Sequence, residues 1–138
     1  MSETVVLDFE LKSPIDRVWN ALTNPETLSK WMLFKANDFQ PVVGHTFQFR
    51  DAEGWDGFVD CEVTEVEKPN RLSYTWVGGG GDNAPFPTVV SWTLTEGEAG
   101  VTNLHLEQSG FQTGAKQEIG GARYGWMSML DKLQALLA

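Results

Sequence analysis

The stretch from Thr113 to Ala138 limits what this chain can fold into more than any other. Ile119, Ala122, Trp126, Leu130, Leu133 and Leu137 recur at steps of three and four, which stacks them on one face of a single α-helix. Lys116, Glu118, Asp131 and Gln134 fall mostly off that stripe. A helix of this length extends roughly 30 Å, about the width of a small domain, and one side of it has to be buried. The rest of the chain supplies mainly runs of alternating apolar residues. The predicted architecture is therefore α+β: a curved antiparallel sheet closing around the C-terminal helix, with a pocket between the two. Met127 and Met129 flank the stripe, and an unbranched thioether either fills irregular space or yields it to a ligand. Met127 is a pocket candidate on this reading, and Met129 is core filler.

Val5, Leu7, Phe9 and Leu11 alternate with polar or outward residues, the period of a half-buried first strand with Leu7 and Phe9 facing in. Ser13-Pro14-Ile15-Asp16 predicts a helix start with serine at the cap and proline in the first turn. Asn24-Pro25-Glu26 predicts a second start at once, so two short helices form a V that plugs one end of the sheet. Phe39, Val42 and Val43 before Gly44, and Phe47 and Phe49 after it, suggest strand, turn and strand. Val59, Cys61 and Val63, then Leu72, Tyr74 and Trp76, give a hairpin broken at Lys68-Pro69-Asn70, with Cys61, Tyr74 and Trp76 inward. Gly78 to Gly81 with the following Asp82 to Pro87 fits neither period and predicts a mobile loop. Two further strands carry Val90, Trp92 and Leu94, then Leu104 and Leu106. Glycines 110, 114, 120, 121 and 125 lead into the long helix, whose first turns are expected to be irregular or in close backbone contact.

A chain of 138 residues is the size of one domain, expected over 1–138, able to bury a core without metal or disulfide support. Ten basic residues against nineteen acidic ones leave a net charge of −9, a field that repels phosphate backbones and anionic lipids, so no nucleic-acid partner is expected. Cys61 has no second cysteine to pair with, and no signal peptide or spanning segment is legible, which points to a cytoplasmic protein without membrane insertion.

The chemistry-bearing residues are sparse. His45 and His105 are far apart and lack metal-ligand spacing, Ser109-Gly110-Phe111 is not a nucleophile elbow, and the glycine tetrad is not followed by the Lys-Ser/Thr of a phosphate loop. No catalytic set, metal site or cofactor is predicted. Six tryptophans and eight phenylalanines are instead the informative excess. Trp31, Phe49, Tyr74, Trp76, Trp92, Trp126 and Met127 fall on the faces predicted to meet between sheet and helix, with Cys61 and Leu130 beside them. Gln108 and Arg123 are candidates for a polar contact within an apolar cavity. A tightly packed aromatic core explains the same count.

The order of strand, two short helices, six further strands and long helix resembles the helix-grip fold of the START-like, birch-pollen-allergen-like (SRPBCC) superfamily. The run from Ser13 to Trp31 (SPIDRVWNALTNPETLSKW), the segment Pro69 to Trp76 (PNRLSYTW) and the ending from Gly125-Trp126 to Leu137 resemble the C-terminal domain of activators of the ninety-kilodalton heat-shock protein ATPase. The superfamily resemblance implies a small hydrophobic ligand, such as a lipid or polyketide, held between sheet and helix. Two alternatives come with it: a chaperone-associated protein, or a cyclase-like enzyme using the same cavity. In the eukaryotic co-chaperones the domain accompanies a separate N-terminal domain that makes major chaperone contacts. Here Met1 already begins the first strand, so stimulation of a chaperone ATPase is not expected.

Overall fold

The computed structural model describes residues 2–52, 57–79, 86–112, 114 and 116–137. Strand β1 (Ser2–Leu11) leads into helices α1 (Ile15–Thr23) and α2 (Pro25–Trp31). Strands β2 (Phe34–Asn37), β3 (Thr46–Ala52), β4 (Phe58–Glu67), β5 (Arg71–Gly79), β6 (Phe86–Glu96) and β7 (Thr102–Gln112) follow, then helix α3 (Lys116–Leu137). The described strands form one antiparallel sheet in the order β1-β7-β6-β5-β4-β3-β2. From β2 onward each strand pairs with its sequence neighbour, while β1 joins the far edge against β7. This is the α+β helix-grip arrangement that the sequence predicts.

Alternation decides which face of each strand is buried. In β4, Val59, Cys61 and Val63 are buried and Asp60, Glu62 and Thr64 are exposed. In β1, Val5 and Leu11 are fully buried, and Leu7 and Phe9 face the same core but remain partly open because β1 is an edge strand. Helix α1 buries Ile15, Val18, Trp19, Ala21 and Leu22, α2 buries Leu28 and Trp31, and the Trp31 indole N–H donates to the Ala21 carbonyl at 2.9 Å. That bond joins the arms of the V. Asn24 caps α2 as its position predicts, its side-chain oxygen accepting from the Glu26 and Thr27 amides, with Pro25 in the first turn.

Three expectations are corrected. Ser13 does not cap α1: Pro14 holds the cap position without a side-chain bond, and Ser13 is buried with its carbonyl accepting from Thr102 Oγ1 at 2.7 Å. The second strand is Phe34–Asn37, not the run through Phe39, Val42 and Val43, which leaves Val42 and Val43 exposed. Pro41 brings no N–H to a ladder there, and Phe39 instead packs its ring edge-on to Phe47 at 5.0 Å. The early turns of α3 are regular helix, and among the described residues a Cβ at Gly120, Gly121 or Gly125 would meet nothing within 4 Å, so no close backbone approach there explains these glycines. Gly110 is different: its φ is +99° and a Cβ would lie 3.1 Å from the Pro87 carbonyl oxygen, a conformation and an approach that suit glycine. The loop expected over Gly78 to Pro87 falls mainly on residues 80–85, outside the described residues, while Gly78 and Gly79 end β5.

On the outer face of the sheet, His105 of β7 sits between two carboxylates. Its Nδ1 lies 2.6 Å from Asp8 Oδ1 on β1 and its Nε2 2.9 Å from Glu107 Oε1. Hydrogen bonds to Glu107 and then to Asp8 raise its pKa above the ordinary 6.5. Stability from this clamp is therefore complete below about 6.5 and fades as pH rises through the higher folded value. His105→Gln should cost stability at pH 5.5 and almost none at pH 8.5. The difference should be no more than about 1 kcal/mol, because the groups are solvent-exposed. Urea unfolding at the two pH values measures it, and an equal cost at both would refute the clamp.

Candidate functional site

The inward faces meet in a continuous set of aromatic rings. Trp31 of α2 stands edge-on to Trp92 of β6 at 6.0 Å, Trp92 edge-on to Trp126 of α3 at 5.4 Å, and Trp126 lies 5.1 Å from Trp76 of β5. From Trp76 the set continues to Phe49 at 5.5 Å and Phe34 at 5.9 Å, with Tyr74 and Phe47 behind. Such edge-to-face and tilted contacts suit ring quadrupoles. The indole N–H groups are paired as burial demands: Trp92 donates to the Tyr74 hydroxyl at 3.0 Å and Trp126 to Gln108 Oε1 at 2.7 Å.

Much of the space expected to be a cavity is thus packed. Trp31, Phe49, Cys61, Tyr74, Trp92 and Leu130 are interior side chains, each 4% exposed or less. Burial pushes the Cys61 thiol up, with a smaller contribution from the Asp60 carboxylate, and burial also raises the Tyr74 phenol, so both stay protonated at neutral pH. What remains open is a cavity of about 160 Å³ at the early turns of α3, bordered by Phe34, Trp76, Gln108, Trp126 and Met129, with Gly121 and Gly125 on the helix side. Of the eleven predicted site residues, Trp76, Gln108 and Trp126 reach it.

Arg123 and Met127 do not face inward. They lie four residues apart on the side of α3 that also carries the exposed Asp131, away from the buried stripe of Trp126, Met129, Leu130, Leu133 and Leu137. Met127 is 47% exposed, and among the described residues Arg123 reaches only the Val6 carbonyl, at 3.5 Å. Met129, not Met127, borders the cavity, because it is three residues from Trp126 and shares its face. Leu33, Phe34, Ala122, Gly121 and Gly125 are the lining residues that sequence reasoning passes over. The four-residue spacing of the two glycines, one helical turn apart and in step with Met129 a turn further on, is the signal that points to them.

Gln108 is the polar element of the site. It accepts from Trp126 and donates to Thr88 Oγ1 at 2.9 Å, while Thr88 donates to the Trp76 carbonyl at 2.7 Å. This relay holds the two tryptophans of the cavity wall to strands β5, β6 and β7. Gln108→Leu leaves the Trp126 N–H without its acceptor and should lower stability by about 1–3 kcal/mol. Guanidinium unfolding reads the loss, and a change below about 0.5 kcal/mol would mean that the relay does not hold the wall.

The family described as Activator of Hsp90 ATPase homolog 1-like protein matches residues 12–138. The chain belongs to this family. Among solved structures, protein MLL2253 from Mesorhizobium loti is 40% identical, with a TM-score of 0.88 over 98% of this chain and 96% of that one. Protein BH1534 from Bacillus halodurans is 26% identical, with a TM-score of 0.79 over 99% of this chain and 97% of its own. DynU16, a protein of the dynemicin biosynthetic locus, is 27% identical with a TM-score of 0.81, and the match covers 97% of this chain but 46% of DynU16. A comparison with curated proteins gave no match. The resemblance of Ser13 to Trp31 and of Pro69 to Trp76 is thus family membership, and the shared SRPBCC-type fold fits small-molecule binding. Among the described residues no helix is long and apolar enough to cross a membrane.

Proposed function

We propose that the protein binds a small, largely apolar molecule with its rings or chain under the early turns of α3, holding the ligand rather than transforming it. The observation that carries this reading is the pair of glycines at the cavity. Each weakens the helix by about 1 kcal/mol relative to alanine, and among the described residues no atom beyond the adjoining helix lies within 4 Å of where a Cβ would stand. Their smallness answers no packing need, but it keeps the helix side of the cavity open. Aromatic walls with one polar side chain, Gln108, match the usual composition of a small-molecule site. Gln108 uses one amide N–H on Thr88, leaving its second for a ligand oxygen. DynU16, which belongs to a biosynthetic locus, makes a small organic product or intermediate a reasonable ligand class.

Titration with flat aromatic probes such as 2-naphthamide tests the proposal. Saturable quenching of tryptophan fluorescence is expected, since Trp76 and Trp126 form the wall, together with a rise in Tm that follows RT ln(1 + [L]/Kd). Native mass spectrometry of freshly purified protein should show a retained small molecule. No saturable change with any of a varied set of apolar probes would count against the proposal.

A further inference from the structure

The cavity under α3 shares part of its wall with a second space. Leu33 and Phe34 also line a second depression, a groove of about 430 Å³ between α2, β2 and α3. Its floor is apolar, formed by Met32, Phe34 and Ala52, and Leu33 stands between the two spaces at 42% exposure. At about 160 Å³ the cavity alone is smaller than the roughly 300–1,000 Å³ of most small-molecule sites. A ligand that fills it therefore has room to continue over Leu33 into the groove.

The groove has a charge unlike the rest of the molecule. Lys30, Lys35 and Lys132 line it, three of the ten basic residues in a chain of net charge −9, and no acidic side chain lines it among the described residues. All three are exposed, and none of their ammonium groups makes an ion pair or hydrogen bond among the described residues, whereas Arg71 is engaged by Glu65 and Thr93. They come from three separate elements, α2, β2 and α3, so the fold rather than a local charge run brings them together. Ammonium groups that have no partner among the described residues, set around an apolar floor, recognise a negative charge attached to an apolar body.

We infer that cavity and groove together take an amphipathic anion, with its ring-bearing or apolar body beneath α3 and an anionic head group, such as a carboxylate, on Lys30, Lys35 and Lys132. The inference rests on the binding function proposed above and narrows its ligand class. It is tested with three probes of one shape: 2-naphthoate, neutral 2-naphthamide and cationic 2-naphthylmethylamine. Each is titrated against the parent and against the triple variant Lys30→Gln/Lys35→Gln/Lys132→Gln, whose changes at exposed sites should leave the fold intact, as its Tm will verify. The parent should bind naphthoate about five- to tenfold more tightly than the amide, with the amine weakest, and the preference should shrink as salt rises. In the triple variant the three affinities should converge near that of the amide. Equal binding of naphthoate and naphthamide by the parent, or a preference that survives in the variant, overturns the anionic head group while leaving the apolar site standing. Failure of all three probes to bind the parent overturns both.

Discussion

Leu130→Asp is expected to abolish the cooperative thermal transition. Leu130 is fully buried at the middle of the inward stripe of α3, between Trp126 and Leu133, against the apolar inner face of the sheet. An aspartate there faces an interior of rings and branched side chains, and an uncompensated buried charge costs several kcal/mol. The whole domain has roughly 5–15 kcal/mol to lose. Leu130→Ala removes volume without adding charge and should be milder, at about 2–5 kcal/mol with the transition kept. Circular dichroism melts of the two variants separate the effects. A sharp transition for Leu130→Asp within a few degrees of the parent would mean that α3 is not the element closing the core.

How far the sequence carries follows from which regularities are one-dimensional. The stripe that ends in Leu130, Leu133 and Leu137 and the alternation in Val59-Cys61-Val63 are local periods, so the sheet, the long helix and the V of α1 and α2 are legible before any coordinates. Asn24 caps α2 for an equally local reason. Ser13 looks the same in sequence and behaves differently: α1 begins one residue later, with Pro14 at the cap, and the buried Ser13 lends its carbonyl to Thr102 on a strand remote in the chain. A long-range contact of that kind leaves no local trace. The second strand is misplaced for a similar reason: Phe39 is apolar because it fills a gap against Phe47, not because it belongs to a ladder.

About a third of the candidate site is legible in the sequence, three of the nine residues that border the cavity. Trp76, Gln108 and Trp126 could be placed from strand and helix phase, but how much of the aromatic surplus is packed depends on ring-to-ring distances that alternation does not encode. One residue of helical phase, about 100° of rotation, separates Met127 in solvent from the face it was given. The lysines of the groove come from residues 30, 35 and 132, and no charge run announces a cluster assembled from three elements.

The measurement closest to the central claim is a paired stability and binding test of Gly125→Leu, with Gly120→Leu as the control. Both glycines lie in α3 with open space where a side chain would grow, but only Gly125 borders the cavity, where Gly120 is exposed and away from it. Either substitution should stabilise the helix, by up to about 1 kcal/mol from propensity alone. At residue 125 the new side chain also occupies a space of about 160 Å³, and the ligand loses its place there. The expected result is that both variants melt at or above the parent temperature, that Gly120→Leu binds 2-naphthoate as the parent does, and that Gly125→Leu loses saturable binding. Undiminished binding by Gly125→Leu, at a melting temperature equal to that of the parent, would contradict a ligand site beneath the helix.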